Sequence, residues 1–140
     1  MTMFRTLKLM CSKDRGAALV ETAMVLLLVL LLIAGMADLG RAFNEYIVIG
    51  EASREGARYG SMNPSDAVGI RAAAVQMAAN NGVTVADGDI AIAGLGGQSG
   101  QPIRVTVAHQ FPTIMGGIIG FESIPMSCST EMAIVVGTGS

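Results

Sequence analysis

The longest apolar stretch of the chain lies near its N-terminus. Residues 23–37 contain no charged or strongly polar side chain, and counting from Ala17 gives 21 residues interrupted only by Glu21 and Thr22. A helix of that length measures about 31 Å, close to the thickness of a bilayer core. Because a backbone in lipid must satisfy its own hydrogen bonds, this pattern predicts a single membrane-spanning helix.

Helical patterning continues beyond the apolar run. Asp38 and Arg41 are three residues apart and Arg41 and Glu45 are four apart, so each pair shares a helical face. A stripe with helical spacing follows, made of Phe43, Tyr46, Ile47, Gly50, Ser53 and Ala57. The pattern predicts a helix that continues to Tyr59, about 64 Å in all.

A second, shorter helix is predicted after a turn. Asn63 can cap it, Pro64 suits its first position and Asp66 suits its first turn. We expect it to run to about Asn80, with Asn81-Gly82 after its end. Its apolar stripe consists of Ala67, Ile70, Ala74, Met77 and Ala78.

The remainder of the chain is patterned for β-structure. Apolar residues alternate in a short strand at Ile90 and Ile92, and in two later strands. Those later strands hold Ile103, Val105 and Val107, then Met126, Cys128, Thr130, Met132, Ile134 and Val136. Residues 95–102 are expected to be a flexible connection. The glycine-rich apolar segment 111–125 is either a lid over a small core or an exposed patch that meets a partner or the membrane surface.

Charge is distributed unevenly around the apolar run. Four basic residues and one acid precede Gly16, a net charge of +3, whereas five basic and ten acidic residues follow it, a net charge of −5. A basic flank predicts that the N-terminal side stays in the cytoplasm and that the C-terminal part lies outside. The acidity of that part gives no support to nucleic-acid binding. Cys11 and Cys128 would then face opposite sides of the membrane, which disfavours a disulfide between them.

No catalytic or cofactor chemistry is marked in the sequence. His109 is the only histidine, and it has no neighbouring cluster of Cys or carboxylates with metal-ligand spacing. No nucleophile motif singles out a serine, and the glycines near Gly94 and Gly96 do not fit a dinucleotide loop. We therefore expect no cofactor, no metal and no enzymatic activity.

Two short motifs resemble a known family. Gly16 is followed by AALVET, so that Glu21 stands at the fifth position after the glycine, between a basic segment and the apolar run. That arrangement resembles the processing site of type IV prepilins, and in particular of their Flp (tight adherence) branch. Farther on, ADLGRAF and EASREGARYG resemble the TadE-like pseudopilins of bacteria. Thr22, where Flp pilins commonly carry Tyr, favours a pseudopilin over the major pilin.

The resemblance implies roles for particular residues. A prepilin peptidase would cut between Gly16 and Ala17, and Glu21 would then pair with the freed amine of Ala17, its own or a neighbour's. The family motif covers helix-packing positions Gly40, Arg41, Arg54, Glu55, Gly56, Ala57 and Arg58. The implied partners are the prepilin peptidase, other pilins or pseudopilins, the pilus assembly platform and the membrane.

Together these observations predict an α+β, pilin-like protein. We expect a cytoplasmic leader (1–16), a transmembrane helix (17–37), its extramembrane continuation (38–60) and a small extracytoplasmic domain (61–140) with a second helix and a three-stranded antiparallel sheet. The predicted function is that of a minor pilin or pseudopilin in the inner membrane. An uncleaved, membrane-anchored binding protein is the alternative. A third hypothesis is a secreted domain cut after Ala37, since Gly35 and Ala37 have small-x-small spacing.

Overall fold

The structure, a computed structural model, describes residues 3–116, 120 and 123–135, with side chains from Gly16 onward. Its helices are α1 (Met3–Met62) and α2 (Ala67–Asn80), and its strands are β1 (Ile90–Ala93), β2 (Pro102–Pro112) and β3 (Ser123–Ala133). The predicted α+β fold with a long N-terminal helix, a second helix and a three-stranded antiparallel sheet is confirmed.

The chain divides into two compact units. The first is Met1–Asp38, whose described part is helix throughout, and the second is Leu39–Ser140. Helix α1 contributes residues to both units. The second unit contains the remaining elements and the hydrophobic core.

The sheet of the second unit has the order β1-β2-β3, and both pairings are antiparallel. Ile90 lies opposite Val107 in the first pair, and Phe111 lies opposite Ile124 in the second. The alternation predicted for β2 is confirmed, because its inward residues Ile103, Val105 and Val107 are fully buried. On β3 the less exposed side chains are Met126, Cys128, Thr130 and Met132, as predicted, while Val136 lies outside the described residues.

Helix α1 turns a face of small and medium side chains toward this core. Its buried residues in the second unit include Val48, Ile49, Ala52, Ser53 and Ala57. The stripe drawn from sequence is therefore only partly buried, because its large members remain exposed: Phe43 (66%), Tyr46 (47%) and Ile47 (44%). The sheet packs against the adjacent face, where smaller side chains allow a closer approach.

The turn into α2 differs from the prediction. The N-cap is Asp66, not Asn63, because the Asp66 carboxylate accepts a hydrogen bond from the Gly69 N–H at 2.9 Å. Asn63 instead closes α1, with its backbone N–H donating to the Tyr59 carbonyl. The predicted end at Asn80 and the predicted apolar stripe agree with the structure, since Ile70, Ala74 and Ala78 are buried.

The connections around the sheet are anchored by backbone hydrogen bonds. Gly94, with φ +86, makes the turn after β1, and a Cβ there would clash with the Pro102 carbonyl oxygen. Gly96 N–H donates to the Pro64 carbonyl and Gly100 N–H to the Ile134 carbonyl, which ties the 95–102 connection down at two points.

The connection between the last two strands is shorter than the predicted segment 111–125. Phe111 and Pro112 belong to β2, and residues 123–125 belong to β3, so the connection spans only residues 113–122. Its described residues divide between the two alternatives, because Met115 is buried and Ile114 is 65% exposed. Residues 117–119, 121 and 122 lie outside the described part.

Candidate functional site: the long helix

The predicted processing site lies on an exposed stretch of helix α1. Gly16, Ala17 and Glu21 are all exposed, and a Cβ built on Gly16 would meet no other atom within 4 Å. Ala17 and Glu21 are four residues apart, so they are neighbours on one helical face. No hydrogen bond or ion pair to the Glu21 carboxylate occurs within the part of the chain that the structure describes.

The apolar run that follows is uncovered. Its large side chains between Leu19 and Met36 are 45–71% exposed. Within the described residues, α1 is the one helix long and apolar enough to cross a membrane, with a mean hydropathy of 2.7 in its best window and none of that window buried. Uncovered apolar area of this extent requires lipid or another apolar surface around it.

The SREGARYG segment (residues 53–60) uses its small residues to pack inside the second unit. A Cβ on Gly56 would lie 3.1 Å from Val105 Cγ1 and 3.3 Å from Ala74 Cβ, so the glycine brings α1 close to both the sheet and α2. Ala57 is fully buried beside it. Ser53 is also fully buried, and its hydroxyl lies 2.7 Å from that of Thr130 on β3.

The charged residues of the same segment face outward. Arg58 Nη2 lies 2.6 Å from Glu55 Oε1, and these hydrogen bonds from Arg58 lower the pKa of the Glu55 carboxyl. The same contact raises the pKa of the Arg58 guanidinium. Arg54 is exposed, and with Glu55, Arg58 and three other residues it lines a shallow groove of about 300 Å³. An exposed pair of this kind adds little stability.

The other two motif residues lie near the start of the second unit. A Cβ on Gly40 would meet nothing within 4 Å. The Arg41 guanidinium lies over the ring of Phe111, 5.2 Å from its centroid, and 4.0 Å from Glu45 Oε1. Gly40 thus leaves an open stretch of helix backbone, while Arg41 packs against the end of β2.

In a comparison with known protein families, residues 16–58 match the family described as TadE-like protein. This segment is TadE-like. The match runs from the predicted processing glycine to the last arginine of the SREGARYG segment, which is less than half of the chain. No curated protein and no solved structure matches the chain. The family indicates involvement in Tad (Flp) pilus systems, and it is not known for enzymatic activity.

The structure also shows contacts of the TadE-like helix that the sequence did not reveal. His109 Nε2 lies 2.9 Å from Glu45 Oε2, and both side chains are largely buried. His109 is in the same alternating phase as the buried Val105 and Val107, but nothing in the sequence identifies a partner 64 residues away. The hydroxyl pair of Ser53 and Thr130 was missed for the same reason.

Metal chemistry has no basis in the described residues, among which no group of three or more His, Cys, Asp or Glu side chains could hold an ion. His109 has a single carboxylate partner, which fixes its ring rather than completing a ligand set.

Proposed function

We propose that this protein is a minor pilin or pseudopilin that takes part in assembly of a tight-adherence (Flp-type) pilus. The observation that carries the proposal is the family match to residues 16–58, which includes the Gly16–Glu21 spacing and the SREGARYG segment. A long uncovered apolar helix and the basic residues before it support insertion in the inner membrane with the N-terminus in the cytoplasm.

In this proposal residues 1–16 form a leader that a prepilin peptidase removes. Cleavage between Gly16 and Ala17 converts an internal amide into a free amine, which is positively charged at neutral pH. Four residues on, the Glu21 carboxylate is within reach of that amine or of a neighbouring subunit's. A desolvated pair of this kind fixes the register of subunits, even where its net contribution to stability is small.

The contacts of the motif residues suggest which helix positions remain for partners. Gly56 and Ala57 are already used to pack α1 against the core of the second unit. Gly35 and Gly40, in contrast, have no atoms around their Cβ positions. We propose that these two open glycines, together with the exposed side chains of residues 17–37, pack against other pilins and the assembly platform. The predicted boundaries 1–16, 17–37, 38–60 and 61–140 are retained as part of this proposal.

The decisive experiment is intact mass and N-terminal sequencing of the protein purified from membranes of its native host. A start at Ala17 is expected. Gly16→Val should keep residues 1–16 attached, because the peptidase site takes a small residue there, while Gly35→Val serves as the matched control because its Cβ position is equally open. A wild-type start at Met1 or Thr2 would contradict processing and would favour the uncleaved, anchored binding protein.

A further inference from the structure

A groove in the second unit lies between helices α1 and α2. Its volume is about 420 Å³, and its lining includes Glu55 and Tyr59 of α1 together with Gly69, Ala72, Ala73 and Met77 of α2. That volume is within the range of about 300–1,000 Å³ that is usual for binding sites. None of these residues belongs to the 17–37 surface that is proposed to pack against other pilins. We call this cavity the α1–α2 groove.

The polar lining of the α1–α2 groove favours a cationic donor. Glu55 is the one charged residue among the described residues that line it. The Glu55 carboxylate accepts from Arg58 of its own chain, but a carboxylate offers about four acceptor positions, so a second donor group can share it. The Tyr59 hydroxyl donates its proton to Asp66, which leaves its oxygen lone pairs available as acceptors.

Small and apolar side chains make up much of the remaining lining. A Cβ on Gly69 would lie 2.6 Å from Tyr59 Oη, so this glycine is what lets α2 approach the tyrosine ring. Ala72 and Ala73 add only methyl groups, and Met77 adds an adaptable apolar surface. Such a lining suits the methylene stem of a long basic side chain. Arginine combines that stem with a planar group of five N–H donors that matches a carboxylate.

The second unit presents one arginine that is not engaged by its own chain. Three of the five arginines from residue 41 onward already have contacts with a carboxylate or a ring: Arg41, Arg58 and Arg104. Arg71 on α2 is partly buried. Arg54 is exposed, and no hydrogen bond or ion pair to it occurs in the part of the chain that the structure describes.

Arg54 and the α1–α2 groove belong to different faces of the second unit. Arg54 and Glu55 are consecutive in a helix, so their side chains leave the axis about 100° apart. Arg54 does not line the α1–α2 groove but lines the shallower groove beside it. Complementary surfaces on different faces of one molecule make head-to-tail contacts, which close into rings or extend as helical filaments.

We infer that the α1–α2 groove binds Arg54 of a second copy of this chain. The guanidinium lies on the Glu55 carboxylate and the Tyr59 hydroxyl, and its stem packs against Ala72 and Ala73. Charge complementarity selects this occupant, because the lining carries one negative charge and Arg54 is the exposed cation without a partner in its own unit. The inference deepens the proposed function, on which it rests for the assembly in which copies meet.

The test exchanges the two charges of this contact. Arg54→Glu and Glu55→Arg are made separately in the full chain, and sedimentation in density-matched detergent measures the self-association of each variant and of their equal mixture. Each variant alone should associate at least about tenfold more weakly than the wild type, because like charges then oppose one another. The mixture should regain association, since each chain supplies the charge that the other lacks. Arg104→Glu, a reversal at another exposed arginine, should leave association unchanged.

A second variant blocks the α1–α2 groove without changing any charge. Ala72→Leu places a larger side chain in the groove and should weaken self-association. Ala79→Leu is the matched control, because Ala79 is also exposed on α2 but does not line the groove.

Three outcomes would overturn the inference. They are a wild-type chain that stays monomeric, a mixture of the charge variants that does not regain association, and loss of pili in Ala72→Leu cells while self-association is unchanged. The last result would assign the groove to a different pilin. N-terminal sequencing tests the proposed function separately, since a start at Met1 would overturn that proposal and leave the measured self-association standing.

Discussion

At the scale of single residues, the two glycines of the TadE-like motif have opposite surroundings. Gly56 is enclosed by Val105 on the sheet and by Ala74 and Ile70 on α2, at 3.1–3.4 Å from a built Cβ. Gly40 has nothing around it. The same residue type in the same helix therefore serves internal packing at one position and leaves an accessible surface at the other.

Gly56→Ala and Gly40→Ala should consequently shift stability in opposite directions. The extra methyl at position 56 overpacks the seam between helix and sheet, and we expect a loss of about 1–3 kcal/mol in the free energy of unfolding. At position 40 alanine should stabilise the helix by about 0.5–1 kcal/mol. Urea unfolding of the full chain in detergent measures both, and equal effects at the two positions would contradict the packing described.

At the scale of elements, the start of α2 depends on a contact with α1. The Gly69 N–H and the Tyr59 hydroxyl both donate to the Asp66 carboxylate, and they hold its pKa below the usual value. The same bond raises the pKa of the Tyr59 hydroxyl. One carboxylate thus caps α2 and joins it to the last turns of α1.

This cap makes a pH-dependent contribution whose sign follows from the lowered pKa. The contribution is complete above the unfolded-state pKa of about 3.9 and disappears as the pH falls through the lower folded-state value. Asp66→Ala should therefore reduce the melting temperature at neutral pH and have a smaller effect in acid. Thermal unfolding of both proteins across that range tests this, with Asp87→Ala, a carboxylate outside α2, as the control. A difference that grows in acid would contradict the assignment.

Toward the end of β2, the β2–β3 hairpin contacts α1 through the Glu45–His109 hydrogen bond and through the Arg41 guanidinium over the Phe111 ring. Glu45→Ala removes the hydrogen bond to His109 and leaves a largely buried ring nitrogen without its partner, at a cost of about 1–2 kcal/mol. Amide hydrogen exchange at the end of β2 should accelerate roughly 5–30-fold, which is the factor that corresponds to this energy. Glu51→Ala on the same helix should leave the exchange unchanged, and acceleration in both variants would indicate general destabilisation instead.

The sequence predicted most of the helices and strands, but it did not predict several of the contacts between them. The periodicity of residues 67–80 and the alternation around Ile103 and Val105 predicted their elements, because one buried face dominates each of them. Helix α1 is apolar on several sides, so periodicity could not determine which of its faces meets the sheet. The large side chains of Phe43, Tyr46 and Ile47 lie outside the buried face. The Asp66 cap was missed because part of its support comes from Tyr59 on another helix. The Glu45–His109 pair joins residues too far apart in sequence to be matched by spacing.

At the scale of the whole molecule, the proposed role in pilus assembly depends most on the Glu21 carboxylate. The carboxylate is exposed on the isolated chain, but it would be desolvated once helices pack around it. Leaving one charge of a buried pair unmatched costs about 3–5 kcal/mol. The effect of a change at this position should therefore appear in assembly rather than in the folding of the second unit.

Glu21→Ala is expected to insert into the membrane normally and to abolish pilus assembly. Membrane fractionation and electron microscopy of cells carrying the variant measure the two properties. Thr22→Ala is the neighbouring control, since the Thr22 hydroxyl donates to the Ala18 carbonyl of its own helix. Normal pili with Glu21→Ala would contradict the role assigned to the carboxylate.

The strand order has a practical consequence for anyone purifying this protein. Strand β3 is eleven residues long and, within the described chain, pairs on one side only, which leaves an open row of backbone donors and acceptors. Such edges initiate aggregation, and natural sequences interrupt them with proline or charge. Here Pro125 and Glu131 do so, but the five residues 126–130 between them are uncharged. In concentrated preparations we expect self-association to begin along that window, so a lysine at the exposed Ser127 is the first change to make for a soluble sample.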